Sequence, residues 1–279
     1  MQVFLNGQII KEEEAKISIS DLSYQFGYGL FETIRCEQGI PLFFENHYKR
    51  LTHSAKELGM AFPVEQEEVR NWIKSVLSAN KLTQARVKII ISRRLEDKFN
   101  VLVMASPIEK PPGSYSLLSY TLSRDSKSVS FRHKTTSRAD SYVAYKKALE
   151  EGFNDALYIN EKNELVECTR ANIFLVMEDK IITPLLESGI LSGVTRANVI
   201  EIAKQEGITV EEKNVHSLYL NKAKAVFVTN AVIGIMLVLR IQFEEKEYNF
   251  STDSKVISLK NSYDAKVNNY IKNVSLVNI

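Results

Sequence analysis

Residues 167–196 read ECTRANIFLVMEDKIITPLLESGILSGVTR, and this stretch restricts the fold more than any other part of the chain. Glu167 leaves an apolar strand read over 164–169, and runs at 172–178 and 180–183 form a hairpin behind it. Ser192-Gly193-Val194-Thr195 then opens a helix expected over 196–206, with Thr195 as its N-cap and Gly207 as its stop. A strand-end carboxylate and a helix start thus fall within one short segment. The free N–H groups and the dipole of such a start attract anions.

Elsewhere the pattern alternates between strand and helix. Val3-Phe4-Leu5 before Asn6-Gly7 predicts a hairpin, because Asn-Gly accepts positive φ in a tight turn. Gly29–Cys36 and Pro41–Phe44 flank Gln38-Gly39 as a second one. Over 45–58, Tyr48, Leu51, Ala55 and Leu58 fall on one helical face that Gly59 ends, and a further helix carries Val69, Trp72, Ile73, Val76 and Leu77. Val87–Arg93 and Phe99–Ala105 read as paired strands. Pro111-Pro112-Gly113-Ser114 is the strongest linker, so two domains are expected, 1–112 and 117–279, joined by 113–116. The second half reads as strands at 115–122, 129–133, 155–160 and 164–169, a helix at 139–151, and a last helix at 263–272.

Lys plus Arg total 36 against 34 for Asp plus Glu, with no long run of one sign, so neither nucleic acid nor an anionic membrane is indicated as a partner. The most apolar window, Ala225–Ile241, contains Thr229, Asn230 and Gly234 and runs into Arg240, which fits a buried strand pair better than a membrane span. Cys36 and Cys168 both lie in apolar strand-like runs, so free thiols in a reducing, cytoplasmic setting are expected. The opening MQVFLNGQIIKEEE lacks the basic stretch and apolar core of a signal peptide.

With His133-Lys134 upstream, the spacing of Glu167, Thr169, Asn172-Ile173-Phe174, Thr183, Leu191, Gly193-Val194 and Arg196 resembles the class IV (fold type IV) family of pyridoxal-phosphate aminotransferases and lyases. The resemblance covers nearly the whole chain and is strongest over 21–60 and 130–240. It implies an α+β fold of two domains, a smaller N-terminal sandwich-like one and a larger C-terminal pseudo-barrel. It also implies pyridoxal 5'-phosphate as cofactor, no metal, a small amine or amino acid as substrate, and a homodimer. By the same resemblance Lys134 forms the Schiff base and then acts as general base, and Glu167 keeps the pyridine nitrogen protonated. Arg50, in the His-x-x-Arg-Leu pattern of 47–51, binds the phosphate together with Val194, Thr195 and Asn230. A protonated ring is an electron sink, and a lysine desolvated beside it can lose its proton near neutral pH. Without the resemblance, Lys134 and Arg50 read as surface cations, Glu167 as a strand-end carboxylate and Thr195 as a simple cap.

Three reactions share this scaffold: transamination of branched-chain amino acids, transamination of D-amino acids, and cleavage of 4-amino-4-deoxychorismate to pyruvate and 4-aminobenzoate, a folate precursor. Three local features resemble the lyase. Thr33 in Phe31-Glu32-Thr33 occupies a position implicated in its catalysis, Thr229-Asn230-Ala231 resembles its Asn-Ala, and Arg138 follows Lys134 at its spacing. Ser137, Leu237 and Ala139 depart from the family pattern, with Tyr142 a candidate to replace the ring-contacting Tyr lost at Ala139. The loop 94–98 lacks the usual Gly-rich, Arg-containing segment for substrate carboxylates, leaving Arg93 or Lys98 as candidates. The sequence is therefore read as an aminodeoxychorismate lyase. A class IV aminotransferase is the alternative and a non-catalytic relative the remote one. Joint presence of Lys134, Glu167, Arg50 and Thr195 argues against the last, since a dead relative has no chemical need for all four.

Overall fold

The computed structural model describes residues 1–60, 62–93, 99–122 and 128–277. It divides into two compact units. Residues 1–110, 133–138 and those from 267 onward form the first, and 111–132 with 139–266 form the second. The first crossing, at Lys110–Pro111, falls on the proline pair; the chain later returns to the first unit for the short segment holding Lys134.

The first unit is a six-stranded antiparallel sheet, β1 (Gln2–Leu5), β2 (Gln8–Lys11), β3 (Gly29–Glu37), β4 (Ile40–Pro41), β5 (Ala85–Arg93) and β6 (Phe99–Ser106), in the order β2-β1-β6-β5-β3-β4. Asn6 and Gly7 turn the first hairpin with φ of 48° and 96°, as their pairing predicts. Helices α2 (Phe44–Glu57) and α3 (Gln66–Ala79) pack on one face, after the short α1 (Leu22–Phe26). Leu30, Ile34, Val87, Ile89 and Val103 of the sheet meet Leu51, Ile73 and Val76 of those helices in one core. Each such side chain, once fully buried, is worth roughly 1.5–3 kcal/mol. The second hairpin is shorter than 41–44 suggests: Phe43 turns left-handed (φ 51°) and α2 begins at Phe44.

The second unit is a ten-stranded sheet. Its strands are β7 (Tyr115–Thr121), β8 (Asp155–Ile159), β9 (Glu164–Cys168), β10 (Asn172–Val176), β11 (Lys180–Pro184), β12 (Thr209–Lys213), β13 (Val215–His216), β14 (Ala225–Asn230), β15 (Gly234–Phe243) and β16 (Lys246–Asn249). The path runs β12-β11-β10-β14-β15-β7-β8-β9-β13, with β16 on β15. Its two ends, β12 and β13, are joined by Asn214 alone, so the sheet must curl back on itself, which is the expected pseudo-barrel. The apolar window 225–241 is the pair β14–β15, and no described helix is long and apolar enough to cross a membrane.

Among the described residues four further α-helices follow: α4 (Val129–Arg132), α5 (Ala139–Glu150), α6 (Val194–Gln205) and α7 (Ser254–Val277). The expected strand at 129–133 is instead the turn of α4, because the Ser128 carbonyl accepts from the N–H groups of Phe131 and Arg132. The last helix is far longer than 263–272; Asp253 caps it, its carboxylate accepting from Lys255 N at 2.8 Å.

Candidate active site

In the first unit the site residues gather on β3. Phe31 N–H donates to the Lys134 carbonyl (2.8 Å) and Thr136 N–H to the Gly29 carbonyl (2.8 Å), so 134–136 lies along β3 as an added edge. The Lys134 ammonium sits 4.5 Å from the centre of the Phe31 ring. Lys88 of β5 reaches the same ring, at 4.8 Å, and stands directly opposite Thr33 in the antiparallel register. Alternation along the strands puts Phe31, Thr33, Lys88, Ile90, Leu102 and Met104 on the half-buried side turned away from α2 and α3. Burial lowers the Lys88 pKa, and the charges of Arg86 and Arg138 lower it further. His133, beside Lys134, is buried with Nδ1 3.0 Å from the Ser54 hydroxyl.

The opposite side of β3 carries Glu32, which is 1 % exposed. His47 and Arg50 lie three residues apart on α2, hence on one face, and both reach this carboxylate. Arg50 Nε donates to Oε1 at 2.8 Å and Nη2 to Oε2 at 2.7 Å, while His47 Nδ1 lies 2.9 Å from Oε2. Burial opposes the Glu32 charge, yet Arg50 and His47 together hold the carboxyl well below its ordinary range. For His47, burial pushes the pKa down, with Glu32 opposing and Arg50 and Lys134 adding to the fall.

In the second unit Glu167 is buried at the end of β9. Its Oε2 accepts from Leu191 N–H at 3.0 Å and from Asn172 Nδ2 at 3.3 Å, and the Asn172 amide also donates to the Leu191 carbonyl at 3.0 Å. Gly193 is packed against the same amide: a Cβ there would stand 2.1 Å from Asn172 Oδ1. The carboxylate is thus tied to the loop that opens α6. That helix begins at Val194 with Gly193 as N-cap and no side-chain cap, so Thr195 is its second residue rather than the expected N-cap. Without a capping side chain the first-turn amides of α6 keep the anion-seeking character of a helix start.

Asn230 behaves differently from the expectation of a side-chain ligand. Its Oδ1 accepts from Val232 and Ile233 N–H, both at 2.9 Å, and its Nδ2 donates to the Arg170 carbonyl at 3.1 Å. The amide therefore builds the turn after β14. One residue earlier, the buried Thr229 hydroxyl has no hydrogen-bond partner, and Thr229 pairs in register with Asn172. Three other motif residues serve the architecture. Thr169 donates to Asp155, Thr183 donates to the Ile173 carbonyl (2.8 Å), and Arg196 binds the Pro184 carbonyl (2.8 Å) and Glu212 (2.7 Å).

A carboxylate held in an apolar setting, an uncapped helix start and an orphaned hydroxyl in one unit suit a cationic ring with a phosphate, as do an amine and a guanidinium in the other. Taken unit by unit, these donors are of the kinds that pyridoxal phosphate requires. Neither Glu32 nor Lys88 is marked as a site residue by the motif. Glu32 is legible as a charge at a core-facing position between Leu30 and Ile34, and Lys88 only once the β3–β5 register is known. Lys98 and the rest of the loop 94–98 lie outside the described residues.

The sequence matches the family described as Amino-transferase class IV over residues 29–241. A putative branched-chain-amino-acid aminotransferase of Methanocaldococcus jannaschii is 31% identical over 255 residues, covering 86% of this chain and 88% of that protein. The aminodeoxychorismate lyase of Bacillus subtilis is 28% identical over 285 residues, covering 96% of each. The crystal structure of a putative 4-amino-4-deoxychorismate lyase from Legionella pneumophila superposes with a TM-score of 0.82 at 28% identity, covering 90% of this chain and 96% of that one.

Proposed function

The chain belongs to the class IV aminotransferase family and is a pyridoxal-phosphate enzyme, and from that premise we propose that it is an aminodeoxychorismate lyase. The observation that carries this reading is the pairing of Thr33 with Lys88 on the face that also bears Phe31 and Lys134. Pyruvate and 4-aminobenzoate each keep one carboxylate, so the substrate that yields both carries two. A hydroxyl set among ammonium groups suits a dianion with an enol leaving group.

We assign Lys134 and Arg50 of the first unit, and Glu167, Val194, Thr195 and Asn230 of the second, to holding the cofactor. When bound, the cofactor supplies an electron sink for the amine-bearing carbon. Lys134 takes the proton from that carbon. Glu167 holds a proton at the ring nitrogen, and it is oriented for this by Leu191 and Asn172. Arg50 and the backbone amides of Val194 and Thr195 bind phosphate, with Asn230 contributing through the turn it shapes. As the carbon–oxygen bond to the enolpyruvyl group breaks, its electron pair leaves with the oxygen, Thr33 donates a proton to the departing methylene carbon and regains one from protonated Lys134, and Lys88 binds a carboxylate. The partner is a second copy of the chain, and the setting is cytoplasmic, where the two buried free cysteines stay reduced.

Thr33→Val tests the reading, since it removes the hydroxyl at nearly constant shape. Cofactor binding should survive while pyruvate release falls by roughly 10²–10⁴-fold. A second reading, branched-chain or D-amino acid transamination, draws on the apolar part of the same face, Phe31, Ile90, Leu102 and Met104. For a transaminase Thr33 only lines the pocket, and the variant should alter mainly KM for the amino donor.

A further inference from the structure

We propose that Glu32 is a positioning residue, whose buried carboxylate fixes the guanidinium of Arg50 in the attitude that receives a phosphate group. The inference rests on the reading of Arg50 as a phosphate ligand. A carboxylate 1 % exposed in a strand otherwise filled by Leu30, Ile34 and Cys36 needs a compensating purpose, because desolvating it is expensive unless it is paired and hydrogen-bonded. Its bonds are directional. The two oxygens take the Nε/Nη2 edge of Arg50 as a fork, at 2.8 and 2.7 Å, and this sets the plane of the guanidinium. His47, at 2.9 Å, steadies the same carboxylate from the preceding turn of α2. Glu32 also lies between Phe31 and Thr33 on β3, so one strand carries the orienting carboxylate on one side and the reactive face on the other.

A carboxylate behind a phosphate-binding arginine has two opposing effects. It orients the cation, which strengthens anion binding, and it neutralises the cation, which weakens it. Glu32→Gln removes both at once, because the amide presents an NH₂ to a donor edge and breaks the fork while removing the negative charge, so the sign of the affinity change tells which effect dominates. Apo-protein would be titrated with pyridoxal phosphate and, in parallel, with pyridoxal, which lacks the phosphate. Positioning predicts an affinity for pyridoxal phosphate about 10–100-fold weaker, in the range seen when an orienting partner of a ligand is lost, with pyridoxal binding unchanged. Unchanged or tighter binding of pyridoxal phosphate would overturn the proposal, and so would an equal loss for both compounds, which marks general damage to the fold. Arg50→Ala serves as the control for the underlying reading: if it leaves pyridoxal phosphate affinity intact, Arg50 is no phosphate ligand and the proposal falls with it. Should Glu32→Gln fail to fold, Glu32→Asp keeps the charge but draws the fork back by one methylene. It should lose phosphate-dependent affinity selectively, and wild-type affinity in that variant would overturn the proposal equally.

Discussion

At the scale of single residues, the chemistry turns on which lysine bonds the cofactor. Lys134 and Lys88 stand over one phenyl ring at 4.5 and 4.8 Å, so proximity alone does not choose between them. Borohydride reduction of the holoenzyme followed by peptide mass mapping should place the pyridoxyl group on Lys134; finding it on Lys88 would reverse the assignment. Glu167→Gln should retain cofactor and lose activity in kcat, by about 10–150-fold, since a charge-assisted hydrogen bond of this kind is worth roughly 1.5–3 kcal/mol and acts most on the charged transition state. Wild-type turnover in that variant would remove Glu167 from the mechanism. His47 and Glu32 both have folded pKa values below their ordinary ones. The unfolded chain therefore binds protons at these sites more readily. The stability they contribute is present above the ordinary values and is lost progressively as pH falls below about 6.5 toward the lower folded value of His47, and below about 4.3 toward that of Glu32. Urea unfolding across that window should show a falling midpoint, and His47→Gln should flatten the upper step. A wild-type midpoint constant from about pH 7 to about pH 4 would contradict the coupling.

At the scale of elements, the packing of Gly193 on Asn172 makes the strongest demand. Gly193→Ala must move either the amide that holds Glu167 or the start of α6, because no Cβ fits 2.1 Å from Asn172 Oδ1. Overpacking of this kind costs about 1–3 kcal/mol, so a lower melting temperature and weaker pyridoxal phosphate binding are both expected. Unaltered values would show that the contact is slack. Asn6-Gly7, the stripe of α3 and the β10–β11 hairpin were legible in the chain, because each depends on local φ preferences or on a single apolar period. Helix α4 was not, since its apolar and basic run lacks a period and the Ser128 carbonyl decides its turn. The start of α6 differs too: Thr195 is a good capping residue, but the close packing at Gly193 sets the first turn two residues earlier. Glu167 and Lys134 could be named from motif spacing, and Glu32 is a charge on the apolar alternation of Leu30 and Ile34, whereas Lys88 depends on which strand faces which, a matter of long-range register.

At the scale of the whole molecule, Ile19, Tyr24 and Phe26 are 81 %, 77 % and 72 % exposed around α1, an apolar surface that a second copy would cover. Light scattering should therefore give twice the 31.8 kDa chain mass at micromolar concentration, and the monomer mass would count against a homodimer. The two-unit α+β architecture and the cofactor chemistry are common to lyases and transaminases of the family, so neither distinguishes the reaction. Only the products do. Purified holoenzyme given 4-amino-4-deoxychorismate should release pyruvate and 4-aminobenzoate in equal amounts without any added 2-oxo acid. No pyruvate from that substrate, together with amino transfer from an L- or D-amino acid to 2-oxoglutarate, would contradict the lyase assignment.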